Sequence, residues 1–532
     1  MLVADKRRVE IEHAPLPAES RPEAVATAFP LATEAALEIL RAGGNAMDAA
    51  VAAAWALCAC EPSASGLGGQ TVLLLHGADG STRIIDGQSR APAAASLDTI
   101  TARDQRRGHR STTVPSTAAT LDWAQRAYGT LDREHVMAPA IRIAEEGYPI
   151  TALQHRQTRW VADLLRGSPT ADLFLPGGRP PEVGSVFRQP KLAATLRRMS
   201  ALGIDDFYRG DIARQIAADM RACGGLITEA DLASCGPPTE MEPLSTIYGD
   251  HRILSAPPPA GGLQLLLGFN VLAELAASGL ASSDAWYEAI ALTTSAVFRE
   301  REHCPLIPGE LTPHLRRTLL GRDHARRLAA GIVDRQCAAG LATGGTEEPG
   351  DTTHLSVCDR HGTIVLLTQS IQSLFGAKVA HRDLGFLYNN YLYTCPRRPH
   401  PYALQPRCRP RSNIAPALVL RAGHPVLALG AAGSRRIISS ILQVVSGVVD
   451  RGLGIADALA SPRVHGLVGR KVWIERPGAD DALLTRLHAR GREPVVKSRF
   501  AMGAVHALQF MADGRVTAAA DPRRDGTGGM LH

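Results

Sequence analysis

Four consecutive residues, Asp351-Thr352-Thr353-His354, carry the clearest chemistry in this chain. A threonine hydroxyl is a weak nucleophile until a base takes its proton. A backbone cut before Thr352 would place an α-amino group on the same residue. With a reference pKa of about 7.7–8.0, that amine is a base in reach of its own hydroxyl. Residues 338–351, rich in Gly and Ala and holding the adjacent acids Glu347 and Glu348, read as a flexible joint that can move aside. The same Thr-Thr-His also reads as an ordinary strand start, because threonine is β-prone. His354 is then a hydrogen-bonded structural histidine, since the α-amine already supplies the base. Cys358 and Cys395 lack a His/Asn pattern for a cysteine nucleophile. Gly66 to Gly69 lacks the Lys-Ser/Thr of a phosphate loop.

The elements that must hold these residues follow from periodicity and turn chemistry. Residues 30–57 read as two helices broken at Gly43-Gly44, the second starting near Asn45 or Asp48. Residues 71–76 and 82–86 form a hairpin across 77–81. Residues 138–147 make a helix ending on Gly147. The stretch 151–335 is helix-rich, with breaks at Pro180-Pro181 and Pro257-Pro258-Pro259. After the joint, 352–359 and 363–368 read as a second hairpin. Strands and turns follow, with one helix at 436–449. Hairpins in both halves predict an α+β layered fold, not a doubly wound sheet.

Composition excludes several classes. Among 532 residues, 58 Lys+Arg against 52 Asp+Glu leave a net charge of +6, too mild for a dedicated nucleic-acid binder. Hydrophobic content of 45% excludes general disorder. The polar first 22 residues carry no apolar signal-peptide core, and the apolar stretch 46–60 is too short to span a bilayer. Nine cysteines without a CxxC argue against a disulfide framework and against a zinc site. The expectation is a cytoplasmic protein that needs neither membrane nor nucleic acid.

Eight ordered blocks add a resemblance. They are PLATEAALEILRAGGNAMDAAVAAAWALCACEPSASGLGG, TTVPSTAAT, APAIRIAEEGYPI, APPPAGGLQLLLGFNVL, DTTHLSVCDRHGTIVLLTQSIQSLFGAKV, LGFLYNNYL, RPRSNIAPALVL and GAAGSRRII. Together, over about residues 22–530, they resemble the gamma-glutamyltransferase family of N-terminal nucleophile hydrolases. The resemblance implies a four-layer α/β/β/α sandwich made as a proenzyme. It implies self-cleavage between Asp351 and Thr352 into a large piece, 1–351, and a small piece, 352–532, which stay together as a heterodimer within one composite domain. Pairing of two such heterodimers is compatible with it. Thr352 would attack an amide carbonyl and pass the acyl group to water or an amine, with no metal or organic cofactor.

The resemblance also assigns supporting groups. Ser370 holds the second hydroxyl, 18 positions after the nucleophile. Gln372 replaces the family's Asn on a longer arm. Gly433 and Ser434 match the Gly-Gly turn whose backbone N–H groups form the oxyanion hole; Ser434 can still donate but tolerates positive φ poorly. In the substrate pocket the family's Arg is Gln88, with Arg90 two residues on and on the same face if the segment is strand. The family's two serines are Ser412 and Asn413. The pair that binds the substrate ammonium becomes Tyr391 and Thr394, neither charged. A buried ammonium without a carboxylate costs several kcal/mol, so glutathione itself should bind badly. Arg411, Arg435 and Arg436 could supply positive charge. The expectation is therefore an autoprocessing hydrolase of small amides without a free γ-glutamyl head, with small anionic amides and acylated β-lactams both left open. The alternatives are a true glutathione hydrolase or transferase, and an uncleaved member that binds a ligand.

Overall fold

A computed structural model describes residues 22–168, 170–280, 285–306, 310–333 and 351–531. The joint at 338–350 and the leader up to residue 21 lie outside the described residues. Two antiparallel sheets dominate. The first has seven strands in the order Thr527–Leu531, Glu23–Thr27, Thr353–Cys358, Ile364–Ser370, Gln70–His76, Thr82–Gly87 and Thr239–Met241. The second has six, in the order Val516–Ala520, Ala504–Phe510, His424–Ala432, Ala417–Arg421, His251–Ser255 and Leu244–Tyr248.

Strand alternation assigns each side chain to a layer. In the first sheet Leu73, Leu75, Leu355, Val357, Val365 and Leu367 face outward, into a core shared with helices Pro30–Arg41, Ala46–Cys60 and Thr117–Tyr128. Their neighbours Val72, Leu74 and Leu366 face inward, against Leu254, Leu418, Ala428 and Leu508 of the second sheet. On the far side of that sheet Val419, Leu429, Ala431 and Val505 pack under helices Gly262–Ala277, Trp286–His303 and Arg436–Val449. Three cores between four layers give the α/β/β/α sandwich, an α+β fold.

Local chemistry explains the entry to the site. Gly43 has φ +88, which ends the first helix. The Asn45 side chain then accepts from the Met47 and Asp48 N–H groups, while Asp48 accepts from the Asn45 N–H. The Ala46–Cys60 helix this capping box starts is buried along its whole length, so Cys58 and Cys60 are both enclosed although they face different sides. It ends on Glu61, beneath the strand Thr353–Cys358.

Three expectations need correction. The helix expected at 138–147 starts earlier, as Arg133–Glu146, because Asp132 caps it by accepting from the His135 N–H; Pro139 lies inside. The last third holds more than one helix: Ile455–Ala460 and Asp481–Ala489 join Arg436–Val449, and six and nine residues display too few turns for a helical period to be read. The strand Thr82–Gly87 stops before Gln88, so the same-face argument for Gln88 and Arg90 does not apply. No described helix is long and apolar enough to cross a membrane.

Candidate active site around Thr352

Thr352 immediately precedes the central strand Thr353–Cys358, and Ser370 ends its neighbour Ile364–Ser370. The antiparallel register between those strands, which pairs Thr353 with Gln369, brings the two hydroxyls together. Thr352 Oγ1 lies 3.1 Å from Ser370 Oγ and 2.7 Å from the carbonyl oxygen of Asp351. Ser370 Oγ donates to that same carbonyl at 3.0 Å and accepts from the Gln372 N–H at 2.9 Å. Gln372 contributes through its backbone: its carbonyl accepts from the Asp351 N–H at 2.9 Å, and its φ of +83 is the strained value this loop requires.

The Asp351 side chain is equally constrained. Its carboxylate is held by both terminal nitrogens of Arg524, accepts from Gln157 Nε2 at 3.2 Å, and accepts from the Thr352 N–H at 3.0 Å. Glu61 lies close by, 6% exposed, facing Thr353, Asp351 and Arg524. Burial first and the Asp351 charge second push its carboxyl up to about 8, so it is protonated at neutral pH. Sequence reasoning missed Glu61, Gln157 and Arg524. The acid–base cluster Asp521-Pro522-Arg523-Arg524-Asp525 was the available signal, since buried arginines need such partners.

Gly433 and Ser434 form the turn between the strand His424–Ala432 and the helix Arg436–Val449, with φ of +120 and +57. Two left-handed residues in succession before a helix N-terminus make an anion-accepting backbone geometry. A small cavity, about 40 Å³, is lined by Asp351, Leu374, Arg156, Arg436, Phe500 and Arg524, so Asp351 and the first residue of the helix Arg436–Val449 border one space.

The remaining expected residues divide into groups. Gln88 and Ser412 are joined, Ser412 Oγ donating to Gln88 Oε1 at 2.6 Å, and Gln88 Nε2 donates to Asp86. Asn413 Oδ1 accepts from Arg301 at 2.6 Å, and Arg301 also donates to the Ser412 carbonyl. Arg301 is thus a further missed residue, fixing both pocket positions from the helix Trp286–His303. Tyr391 is buried with its hydroxyl toward Ser370 and Gln70. Thr394 turns its hydroxyl back to the Tyr391 carbonyl. Arg90 is exposed and lines a separate cavity of about 300 Å³ with Asp86, Gln88, Arg407 and Arg409; Thr352 is not part of that lining. Arg411 pairs with Glu302 at 2.8 Å, which neutralises the charge expected of it, and Arg436 lies over the Trp473 ring. His354 is structural: its ring nitrogens bond Thr368 and Ser356, wedged between the sheets against Gly430.

Comparison with known proteins agrees with this geometry. The profile described as Gamma-glutamyltranspeptidase matches residues 32–531. An acylase ACY 1 proenzyme from Pseudomonas sp. (strain V22) is 34% identical over 94% of this chain and 92% of its own length. A glutathione hydrolase proenzyme from Escherichia coli (strain K12) is 30% identical over 95% and 91%. The crystal structure of a cephalosporin acylase from Bacillus halodurans superposes with a TM-score of 0.84 at 27% identity, covering 98% of this chain and 99% of that one. With the family profile spanning nearly the whole chain and a two-sheet sandwich that superposes on an acylase, this protein is an enzyme of the gamma-glutamyltranspeptidase family, an amide hydrolase of the N-terminal nucleophile type.

Proposed function

We propose that the chain cleaves itself between Asp351 and Thr352 and then uses the freed Thr352 to hydrolyse small amides through an acyl-enzyme. The observation that carries this reading is the convergence of the Thr352 and Ser370 hydroxyls on the Asp351 carbonyl. In the uncut chain, Thr352 Oγ1 attacks the Asp351 carbonyl carbon while Ser370 steadies the developing oxyanion. The C–N bond breaks, the Thr352 nitrogen takes the hydroxyl proton, and an ester joins Asp351 to Thr352. Water hydrolyses that ester, leaving a carboxylate on Asp351 and a free amine on Thr352. The amine then serves as base for substrate amides, with the N–H groups of Gly433 and Ser434 as the oxyanion site and Gln372, next to Ser370, as a substrate contact.

The fold supports a lasting heterodimer of 1–351 and 352–532. Strands Thr353–Cys358 and Ile364–Ser370 lie between Glu23–Thr27 and Gln70–His76, so separating the pieces would break ladders on both sides.

For the substrate, the reading is an anionic acyl amide and not glutathione itself. Tyr391 and Thr394 offer no charge to an ammonium, and Gln88 is committed to Ser412 and Asp86. Arg524 already holds a carboxylate, that of Asp351, next to the scissile carbonyl. The acylase relatives fit this choice. The Escherichia coli relative motivates the second reading, a true glutathione hydrolase.

Intact mass under denaturing conditions tests the core of the proposal. Two species matching 1–351 and 352–532 are expected for the wild type, and one full-length species for Thr352→Ala. Cleavage in Thr352→Ala would remove the nucleophile assignment. A persistent single wild-type chain would favour a ligand-binding member. Release from a γ-glutamyl anilide, compared with a glutaryl anilide, separates the two substrate readings.

A further inference from the structure

The turn His109–Ser111 and the helix Asp211–Ala222 meet over Tyr388, away from the nucleophile. Asp219 and Cys223 are four residues apart, so their side chains share one helix face at its C-terminal end. His109 comes from the opposite side. One ligand atom from each of the three lies within 4.8 Å of the other two, and His109 Nε2 stands 3.3 Å from Asp219 Oδ2.

Two features make this more than a chance ion pair. His109 is 8% exposed, and its Nε2 makes no hydrogen bond of good geometry although it faces the cluster. Its ring is seated against Tyr388, 5.5 Å between centroids, and the Tyr388 hydroxyl donates to Asp219 Oδ2 at 2.9 Å. One ligand therefore has a fixed orientation and another is oriented by a neighbour, as metal sites require. Cys223, by contrast, is exposed at the helix end.

We propose that His109 Nε2, a carboxylate oxygen of Asp219 and Cys223 Sγ bind one divalent ion of the zinc class, with water in the fourth position. Imidazole, carboxylate and thiolate together select Zn²⁺ or Co²⁺ over Mg²⁺ or Ca²⁺. A tetrahedral ion with bonds of about 2.0–2.3 Å spaces its ligands by about 3.3–3.8 Å. His109 Nε2 and Asp219 Oδ2 already stand at such a spacing, 3.3 Å, and the exposed Cys223 is the ligand that has to close in. On binding, the thiol gives its proton to solvent and the thiolate takes its place on the ion. The ion would clamp the helix Asp211–Ala222 to the His109 turn. That reinforces Tyr388, which adjoins the Asn389-Asn390-Tyr391 segment leading to Ser370. No CxxC signals this site, because its ligands lie 110 and four residues apart.

Titration of the metal-free, full-length protein with Co²⁺ tests it. One Co²⁺ per chain is expected, with a near-ultraviolet thiolate-to-cobalt charge-transfer band, and Zn²⁺ should displace it. Cys223→Ser should abolish the band, while Cys304→Ser, another exposed cysteine, should keep it. Asp219→Asn should weaken Co²⁺ binding about tenfold or more. Absence of the band in the wild type, or its survival in Cys223→Ser, would leave His109 and Asp219 as an ordinary ion pair and overturn the proposal.

Discussion

Thr352 Oγ1 and Ser370 Oγ stand 3.1 Å apart, and both reach the carbonyl oxygen of Asp351. Ser370 ends one strand and Thr352 directly precedes its antiparallel neighbour, so the register that pairs Thr353 with Gln369 brings the two hydroxyls together. Groups fixed at the ends of paired strands hold their geometry more closely than groups on loops. Ser370→Ala removes the donor to the Asp351 carbonyl and leaves the Gln372 N–H without its acceptor. Loss of one such donor lowers a rate by about 10²–10³-fold. Self-cleavage followed by gel densitometry should slow by that order, and an unchanged rate would dismiss Ser370 as a participant.

The bidentate contact between Arg524 and Asp351 is buried, with side chains 9% and 3% exposed. Removing one partner of such a pair strands the other charge and costs about 3–5 kcal/mol. Arg524→Met, made in a Thr352→Ala background to keep the chain intact, should lower its urea midpoint accordingly. Asp351→Asn should cost less, because the amide still accepts from Arg524. Equal stability of all three proteins would mean that the pair does not hold the uncut peptide.

Much of this arrangement could be read before the structure. The break at Gly43-Gly44, both hairpins and the helix at 436–449 were legible because glycine turns and period-2 alternation are local signals. Ser370 and Thr352 were legible as a pair only through the family resemblance; eighteen residues of spacing say nothing until a hairpin folds them together. Glu61 carried no signal, and the acid–base cluster 521–525 hints that Arg524 is buried without naming Asp351 as its partner. The Arg524–Asp351 contact spans 173 residues of sequence, and Glu61, which feels the Asp351 charge across 290, looks by itself like surface charge. Arg90 failed for a local reason: the strand ends at Gly87, so the period that would have aligned it with Gln88 had already stopped.

Glu61 gives a pH prediction with a definite sign. Burial and Asp351 raise its carboxyl from 4.5 to about 8 in the fold. Between those values the folded chain holds a proton that the unfolded chain has released. Stability from this group is therefore fully present below about pH 4.5 and is lost as pH rises toward 8. Glu61→Gln cannot titrate, so uncut Thr352→Ala protein carrying it should lose less stability than its parent between pH 5 and 8. Urea unfolding at the two pH values measures this, and parallel losses in both proteins would show that Glu61 is not held neutral.

Ser434 offers the opposite kind of test, a change that should help. Its φ of +57 places a side chain in the left-handed region, at a cost of about 1–2 kcal/mol that glycine does not pay. On the proposed reading the strain serves to aim two successive N–H groups before the helix Arg436–Val449 begins. Ser434→Gly should therefore raise stability by about 1 kcal/mol or leave it unchanged, since glycine's freer unfolded chain offsets part of the relief. Because a backbone donor is unaffected by its side chain, turnover should persist within a few-fold. The neighbouring Gly433→Ala should behave in reverse: a Cβ there would stand 2.8 Å from Gly503 Cα on a backbone at φ +120. Loss of activity in Ser434→Gly equal to that in Gly433→Ala would mean that the Ser434 hydroxyl, and not its N–H, is what the reaction uses.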